Sequence, residues 1–240
     1  MDITKYTKIA RKALPLKYCG AVIVAAGNAT RMGGIDKMMA QLRGEPVIVR
    51  TVRAFQECDA IREIVVVTRP ELIVPISDLC HDFPKVRAVI AGGDTRQASV
   101  AAGLGALSAW TQLAAIQDGA RPLTSWQVID RVVRAAHSYG AAAPAVPVKD
   151  TVKVVQGGIV SQTPERSTLR AVQTPQVFDV DLLKAALRKA EEEEIPVTDD
   201  CAAVERLGMS VRIVEGDERN IKITTPMDLK IAELLLEETV

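Results

Sequence analysis

A glycine-containing segment with two cationic side chains follows the first apolar run of the chain. The run AVIVAA, at residues 21–26, leads into Gly27, and Arg31 and Lys37 follow shortly after it. A loop between a strand and a helix presents unpaired backbone N–H groups, and such groups bind phosphate. Glycine lets the backbone approach a ligand closely, while arginine and lysine add positive charge. The segment therefore predicts a cradle for a phosphate chain.

Neither of the two common phosphate-binding motifs matches this segment. The motif G-x-x-x-x-G-K-[ST] requires serine or threonine after its lysine, and Met38 follows Lys37. The motif G-x-G-x-x-G requires a glycine where Ala29 stands. What remains is A-A-G-x-x-x-R-M-G-G-x-x-K, which favours an anion site of a different kind. A glycine turn with two solvated cations is the alternative that the residues leave open.

Two further segments combine glycine with polar side chains where apolar runs end. AGGDTRQASV, at residues 91–100, offers backbone approach, polar contacts and a hydroxyl donor through Gly93, Asp94, Arg96 and Ser99. In QDGARP, at residues 117–122, Asp118 directly follows an apolar run. Its carboxylate could hold a hydroxyl or a divalent metal. A simple turn before glycine is the alternative.

Two segments nearer the C-terminus carry candidate residues with strong structural alternatives. PVTDD, at residues 196–200, is typical of a helix start with Thr198 or Asp199 as the N-cap. In ERNIKITTP, at residues 218–226, Lys222 lies in a short β-type run. A single lysine in such a run is usually an exposed strand residue.

Together these residues suit a reaction that moves negative charge. Arg31, Lys37 and Lys222 could neutralise a pentacoordinate phosphorus, Asp118 could hold a sugar hydroxyl or a metal, and Mg²⁺ would bridge phosphate oxygens. Such catalysis is mostly placement and charge stabilisation. A covalent nucleophile is not needed, and neither a G-x-S-x-G motif nor a cysteine motif occurs.

The elements that must position these residues alternate along the chain. Short β-branched runs at 21–26, 63–68, 86–90 and 113–117 are separated by amphipathic helical patterns at 45–57, 95–109 and 125–139. Strands without a polar face, separated by helices, predict a mostly parallel sheet with helices on both faces. Such sheets bind ligands at the carboxyl ends of their strands.

The alternation stops within residues 144–174, which we interpret as an insertion. TVKVVQGGIVSQT contains two β-type runs around Gly157 and Gly158, the pattern of a hairpin. A two-stranded ribbon is marginal alone, so a second subunit is a natural packing partner. A helix at about 179–194, a strand at 211–215 and a helix from Pro226 are predicted to follow.

Composition limits the kind of protein. The chain has 240 residues, 48% of them hydrophobic, which suits a single domain over 19–240 preceded by an N-terminal extension, 1–18. Thirty basic residues balance thirty acidic ones, which argues against a nucleic-acid partner. Four scattered cysteines without a C-x-x-C pair favour the cytoplasm. The chain has neither a membrane-spanning run nor a signal-peptide pattern, and we interpret its first residues as a short surface helix rather than a membrane or partner contact.

The ordered motifs resemble one family of enzymes. AAGNATRMGG with Lys37, AGGDTRQASV, DGARP, PVKDT, TPQVF, VTDD and NIKIT occur in this order from about Cys19 to the C-terminus. Each is weak alone, but the ordered set is specific. It resembles the cytidylyltransferases that act on sugar-alcohol phosphates, and most closely those for 2-C-methyl-D-erythritol 4-phosphate in non-mevalonate isoprenoid synthesis.

The resemblance implies a Rossmann-like sheet that binds CTP. The residues expected at CTP are Ala25, Ala26, Gly27, Gly93, Asp94 and Ser99, together with the polar Arg96. Arg31, Lys37 and Lys222 are expected around the α-phosphate as the catalytic set. The polyol phosphate is expected near Asp118, Gly119, Arg121, Thr151, Arg166 and Thr198. In the family the hairpin embraces a second subunit, so a homodimer is expected in which Thr151 and Arg166 serve the neighbouring site.

Two departures from the family pattern affect the acceptor. The family usually has histidine where Gln117 stands and alanine where Gly119 stands. Another polyol phosphate, such as ribitol 5-phosphate, is therefore an alternative acceptor, and a nucleotide-binding regulator without turnover is an alternative of another class. A nicotinamide dehydrogenase is disfavoured because its glycine fingerprint is missing.

Overall fold

Eight strands form one mixed sheet at the centre of the computed structural model, which describes residues 16–27, 36–194 and 197–237. The strands of the described chain are β1 (Cys19–Val24), β2 (Gln41–Leu42), β3 (Glu45–Pro46), β4 (Glu63–Thr68), β5 (Val86–Ala91), β6 (Leu113–Asp118), β7 (Ala141–Pro147), β8 (Val154–Gln156), β9 (Ile159–Gln162), β10 (Arg170–Val172), β11 (Gln176–Asp179) and β12 (Arg212–Glu215). The sheet has the order β10-β7-β11-β6-β1-β4-β5, and β12 also pairs with β7.

Most neighbouring strands of this sheet run parallel. Strand β1 pairs in parallel with β4 on one side and β6 on the other, so that Val22 lies opposite Val65 and Ile116. Strand β5 continues the parallel pairing beyond β4. Strand β11 is antiparallel to both β6 and β7. The predicted mostly parallel, Rossmann-like sheet is confirmed, and its parallel strands end together at one edge.

Helices cover both faces of the sheet. The helices are α1 (Val47–Gln56), α2 (Ile73–Leu79), α3 (Arg96–Ala106), α4 (Trp126–Tyr139), α5 (Val180–Glu192), α6 (Asp200–Arg206) and α7 (Pro226–Glu237). One apolar core lies between the sheet and α1, α2, α4 and α7, and includes Phe55 and Ile129. The second lies under α3, α5 and α6, and includes Leu104 and Leu183. Each helix buries residues on the side that faces a core, and this pattern is clearest in α1, α4 and α5.

The sequence patterns located most of these elements within a few residues. The run EIVVVT forms β4 with all six residues buried, as expected for a strand covered on both faces. The helical pattern at 45–57 forms α1, and its apolar residues Val47, Ile48, Val52 and Phe55 are fully buried. The last predicted helix begins at Pro226, as α7 does.

The predicted hairpin is present and projects into solvent. Strands β8 and β9 pair antiparallel, with Gly157 and Gly158 between them. Both glycines have positive φ, 56° and 81°, which is the requirement of a two-residue type I′ turn. Every residue from 149 to 163 is exposed, including apolar Val155 and Ile159. We call this hairpin the arm.

Several elements differ from the sequence prediction. Strand β7 was not predicted, because alanine is a weak strand former and Pro144 and Pro147 argue against a strand. Proline has no backbone N–H to donate, but its carbonyl can still accept. The Pro144 carbonyl accepts a hydrogen bond from Gln173 N at 2.8 Å, so the strand tolerates proline at this position. The expected β-type placement of Lys222 is wrong, since residues 216–225 form a loop.

Two sequence expectations concern parts of the chain that are only partly described. The surface helix expected within residues 1–18 falls almost entirely outside the described residues, as does Arg31. Among the described helices, none combines the length and the apolar character required to cross a bilayer.

Candidate active site

A cavity with several charged side chains in its lining lies at the edge of the sheet where β1, β5 and β6 end. It encloses about 230 Å³. Its lining residues are Val24, Ala26, Gly27, Lys37, Met38, Gly93, Asp94, Thr95, Arg96, Ser99, Asp118, Gly119, Ala120 and Lys222. The loops that follow three parallel strands thus supply most of the wall, as expected for a ligand site in an α/β protein.

The turn that carries Lys37 is held by the side chain of Asp36. Asp36 Oδ1 accepts hydrogen bonds from the backbone N–H groups of Met38 at 2.9 Å and Met39 at 3.4 Å. Its other carboxylate oxygen pairs with Arg69. Met38 is buried and its carbonyl accepts a hydrogen bond from Ile48 N at 3.0 Å, which joins the turn to α1. Lys37 therefore reaches the cavity from a fixed backbone.

The loop after β5 is closed by two hydroxyl groups. Thr95 Oγ1 accepts a hydrogen bond from Ala98 N at 3.0 Å and so caps α3. Ser99 Oγ lies 3.2 Å from Gly93 N and 3.0 Å from the Thr95 carbonyl oxygen. A Cβ atom on Gly93 would lie 2.5 Å from the Cβ of Ala98, so the tight approach requires glycine. Ser99 is almost fully buried, and its hydrogen bonds tie it to this loop.

Asp118 is surrounded by three cationic side chains. Its Oδ2 atom lies 2.9 Å from Lys222 Nζ and 3.4 Å from Arg121 Nε, and its Oδ1 atom lies 4.0 Å from an Arg96 nitrogen. Burial alone would raise the pKa of Asp118, but Lys222, and then Arg96 and Arg121, lower it below the ordinary value. Asp118 is therefore ionised at neutral pH and holds Lys222 at the cavity wall.

Arg96 connects Asp118 to a second buried carboxylate. Its guanidinium lies 2.7 Å from Asp200 Oδ2, and Asp200 is fully buried at the start of α6. Burial raises the pKa of Asp200, Arg96 acts in the opposite direction, and the nearby Asp118 and Asp199 add to the rise. Burial alone would lower the pKa of Arg96, whereas Asp200 raises it above the ordinary value. Arg96 thus remains charged beside the cavity.

The structure brings most of the predicted site residues together. The predicted residues that line the cavity are Ala26, Gly27, Lys37, Gly93, Asp94, Arg96, Ser99, Asp118, Gly119 and Lys222. Arg121 lies directly behind this wall, on Asp118. Of the three cations expected to converge, Lys37 and Lys222 do line one cavity, while Arg31 lies outside the described residues.

The remaining predicted residues lie elsewhere in the described chain. Ala25 is buried, and its backbone N–H donates to the Val67 carbonyl at 2.7 Å. Thr151 and Arg166 are exposed, on and beside the arm, and Arg166 donates to the Lys149 carbonyl at 2.9 Å. Thr198 is exposed before α6, and the N-cap is Asp199.

Three structurally important residues were not assigned a role from the sequence. Asp200 is the partner of Arg96, Thr95 caps α3, and Asn220 is fully buried beneath Lys222. The Thr95 cap follows a recognisable pattern, a threonine directly before a helix. Asp200 and Asn220 act through contacts with residues distant in sequence, which no local pattern reveals.

The donor set around the cavity is poor in metal ligands. Within the described ranges, no group of three or more His, Cys, Asp and Glu side chains is placed to hold a metal ion. Asp118 and Asp94 are the carboxylates in the lining, and Mg²⁺ is commonly held by one or two carboxylates together with substrate phosphates. The site therefore fits a metal that arrives with a triphosphate, and it does not fit a metal held by protein ligands alone.

The sheet and cavity define an α/β protein with a cation-rich site at the carboxyl edge of its sheet, the usual place for a ligand in this class. A loop follows β1 at the carboxyl edge, two lysines and two arginines lie at or just behind one wall, and an ionised carboxylate lies among them. The family model described as IspD, 2-C-methyl-D-erythritol 4-phosphate cytidylyltransferase, matches residues 19–238. The chain belongs to this family.

Individual relatives agree with the family model. The enzyme of this name from Caldanaerobacter subterraneus is 44% identical over 227 residues, which cover 91% of this chain and 98% of the relative. The enzyme of the same name from Symbiobacterium thermophilum is 46% identical over 219 residues, which cover 90% of this chain and 92% of the relative. The crystal structure of 4-diphosphocytidyl-2C-methyl-D-erythritol synthase from Anaerococcus prevotii superposes with a TM-score of 0.84 at 31% identity, covering 92% of this chain and 96% of that one. The crystal structure of the Thermus thermophilus enzyme superposes with a TM-score of 0.75 at 34% identity. This superposition covers 90% of this chain and 98% of that one.

Proposed function

We propose that this chain joins CTP and 2-C-methyl-D-erythritol 4-phosphate to give CDP-methylerythritol and pyrophosphate, in non-mevalonate isoprenoid synthesis. A phosphate oxygen of the polyol phosphate attacks the α-phosphorus of CTP in line and forms the new P–O bond. The bond from the α-phosphorus to the bridging oxygen breaks, and pyrophosphate leaves with the electron pair. The observation that carries the proposal is the joint placement of Lys37, Lys222, Arg96 and Asp118 around one cavity at the carboxyl edge.

The proposed reaction needs positive charge where the transition state gains negative charge. Lys37 and Lys222 reach the cavity from loops on different parts of the chain, so a phosphorus atom between them is flanked by cations. We assign Arg31 to the same task. Gly27 borders the cavity, and a Cβ added there would meet no atom of the described residues within 4 Å, so the space beside it is open to a triphosphate.

We assign the nucleoside and the acceptor to opposite parts of the wall. Gly93 and Asp94 in the loop after β5, together with Ser99 in the first turn of α3, mark where the base and ribose would lie. Asp118 would hold an acceptor hydroxyl or, together with the phosphates, Mg²⁺. When bound, that ion would neutralise charge on the triphosphate oxygens. Arg121, 3.4 Å from Asp118 Oδ2, would orient the carboxylate for either task.

The departure at Gln117 does not place a different side chain in the cavity wall. Its side chain is fully buried and donates to Thr124 Oγ1 at 2.9 Å, and Gln117 is not among the cavity-lining residues. Any effect of Gln117 on the acceptor would therefore pass through Thr124, whereas the other departure, Gly119, lines the cavity itself. Relatives 44% and 46% identical to this chain are named for 2-C-methyl-D-erythritol 4-phosphate, which favours that acceptor over ribitol 5-phosphate.

We further propose that residues 19–240 form one catalytic domain, that residues 144–174 carry the arm, and that the arm makes a homodimer. Apolar side chains on the arm are widely exposed, Ile159 by 75% and Val155 by 54%. A partner subunit would cover them. Thr151 and Arg166 do not line the cavity of their own chain, which suits a role in the neighbouring site. The four cysteines are unpaired, in keeping with a reducing cytoplasm.

Pyrophosphate release from purified protein tests the proposed reaction. With CTP and Mg²⁺, release is expected with 2-C-methyl-D-erythritol 4-phosphate and at most weakly with ribitol 5-phosphate. Lys37→Ala should lower kcat by about 10²–10³-fold, since it removes one preorganised stabiliser of the transition state. Lys189→Ala, at an exposed lysine on α5, is the matched control.

Two outcomes would contradict this proposal in different ways. Turnover only with ribitol 5-phosphate would replace the acceptor and keep the chemistry. CTP binding without pyrophosphate release from either acceptor would favour a regulator without turnover.

A further inference from the structure

The loop that carries Lys222 is fixed by one buried side chain, Asn220. The residue is fully buried, although asparagine is usually exposed. Its Nδ2 atom donates to the Thr174 carbonyl at 2.9 Å, and its Oδ1 atom accepts from Thr124 Oγ1 at 2.7 Å. Its own carbonyl accepts from Arg121 at 2.6 Å. Both ends of the amide are thus bonded to different segments of the chain.

These partners are the segments that build the Asp118 side of the cavity. The hydroxyl of Thr174 accepts a hydrogen bond from Asp118 N at 3.1 Å. Thr124 Oγ1, the donor to Asn220, in turn accepts from Gln117 Nε2 at 2.9 Å. The bonds run from Gln117 through Thr124, Asn220 and Thr174 to Asp118. They tie the Lys222 loop to the end of β6 and to the segment before β11.

The chain on the other side of Lys222 is also held. Ile223 N donates to the Ala120 carbonyl at 2.8 Å. Beyond it, Asp228 Oδ2 accepts from the backbone N–H groups of Thr224 and Thr225, each at 2.8 Å, at the start of α7. Lys222 therefore lies between two fixed points, and its ammonium group meets Asp118 at 2.9 Å.

We propose that Asn220 is a positioning residue for the transfer reaction, acting through Lys222. Lys222 is the exposed member of its pair with Asp118, on a loop without regular secondary structure. Its placement against a reacting phosphorus depends on the backbone beneath it, which Asn220 holds. Displacement of a catalytic group by about 1 Å can cost about 10²-fold in rate. This inference rests on the proposed role of Lys222 in the reaction.

The test is a double-substitution cycle on kcat with Asn220→Ala and Lys222→Ala. Alone, Asn220→Ala should lower kcat by about 10²-fold and leave the KM for CTP within about threefold. In the Lys222→Ala background, Asn220→Ala should have no further effect, because the group it positions is gone. If Asn220 had only a structural role, Asn220→Ala would lower kcat by the same factor in the parent protein and in the Lys222→Ala background.

A second pair of variants probes the same bonds without opening a cavity. Thr124→Val keeps the shape of the side chain and removes the hydroxyl, and it should reproduce the kcat loss and the dependence on Lys222. Thr124→Ser keeps the hydroxyl and should retain activity. If Asn220→Ala does not fold, the cycle is run with Thr124→Val.

The outcomes separate this inference from the proposed function. Multiplicative losses in the double variant, or an unchanged kcat in both Asn220→Ala and Thr124→Val, would overturn the positioning role alone. Full activity in Lys222→Ala would instead remove Lys222 from the proposed mechanism, and with it the basis for Asn220.

Discussion

At the scale of residues, the site depends on an ionised carboxylate held among cations. Lys222 and Arg121 contact the same oxygen of Asp118, and Arg96 lies near the other. Their combined effect lowers the pKa of Asp118 although burial opposes it. A carboxyl group whose pKa is lower in the folded state stabilises the fold above its unfolded pKa, about 3.9, and loses that contribution as pH falls through the folded value.

Asp118→Asn should therefore have a pH-dependent cost. At about pH 6 the variant should lose about 1–3 kcal/mol of unfolding free energy, because Arg121, which is mostly buried, and the more exposed Arg96 and Lys222 lose their counter-charge. The difference from the parent protein should shrink as pH falls below about 4, where the parent also becomes protonated. Urea unfolding of both proteins at several pH values measures this difference in unfolding free energy. A difference that stays constant or grows with acidity would show that the carboxylate charge is not the stabilising feature.

The charged site residues could be predicted from the sequence, whereas their supports could not. Asp118 ends an apolar run and Lys37 follows a glycine loop, so each has a local pattern. The partner of Arg96 is Asp200, 104 residues away in the chain, and Asn220 and Thr124 are 96 apart. Only the folded chain brings such pairs together, and neither residue type in itself indicates its partner.

At the scale of elements, helix α3 begins at the cavity and depends on its N-cap. Thr95→Ala should lower the free energy of unfolding by about 1 kcal/mol, since Ala98 N loses its acceptor. Ser125→Ala is the matched control, because Ser125 is the N-cap residue of α4 but makes no side-chain capping bond. Chemical denaturation of both variants checks the difference. Equal losses would contradict the assignment of the cap.

The arm gives a second prediction at this scale. Ile159→Asp should weaken self-association at least about tenfold, because in a two-fold dimer each substitution removes two apolar contacts. Sedimentation velocity over a range of concentrations measures the effect. Val74→Asp, at a side chain on α2 that is 67% exposed, is the control and should leave association unchanged. A parent protein that stays monomeric at every concentration would refute the proposed dimer.

The elements missed from the sequence have a common physical cause. Strands β7 and β11 lie in the part of the sheet where the alternation of strands and helices breaks down. AAAPAVP has few β-branched residues, and in QVFD only a short stretch is apolar. Their strand conformation comes from pairing with each other and with β6, which local propensity does not describe. Strands such as β4 and β6 were predictable because each has a run of four consecutive apolar residues and is buried along its whole length.

At the scale of the whole molecule, all four cysteines are buried in the two cores. Burial raises the pKa of each thiol, for Cys80 to about 11. Native protein at about pH 8 should therefore react slowly with a thiol-specific disulfide reagent, because the thiolate is the reactive form. In concentrated guanidinium all four should react rapidly. A rapid phase in the native protein would show that one core opens readily.

The carboxylate of Asp118 also affects how its cationic neighbours can bind anions. Lys222 and Arg121 already pair with the fixed carboxylate of Asp118. A chloride ion that binds these cations must therefore compete with that carboxylate. A ligand that carries several negative charges can bind both cations at once. The carboxylate of Asp118 is then available to hold another group of the ligand. The internal carboxylate therefore favours the binding of polyanions over that of monovalent anions from the surrounding solution.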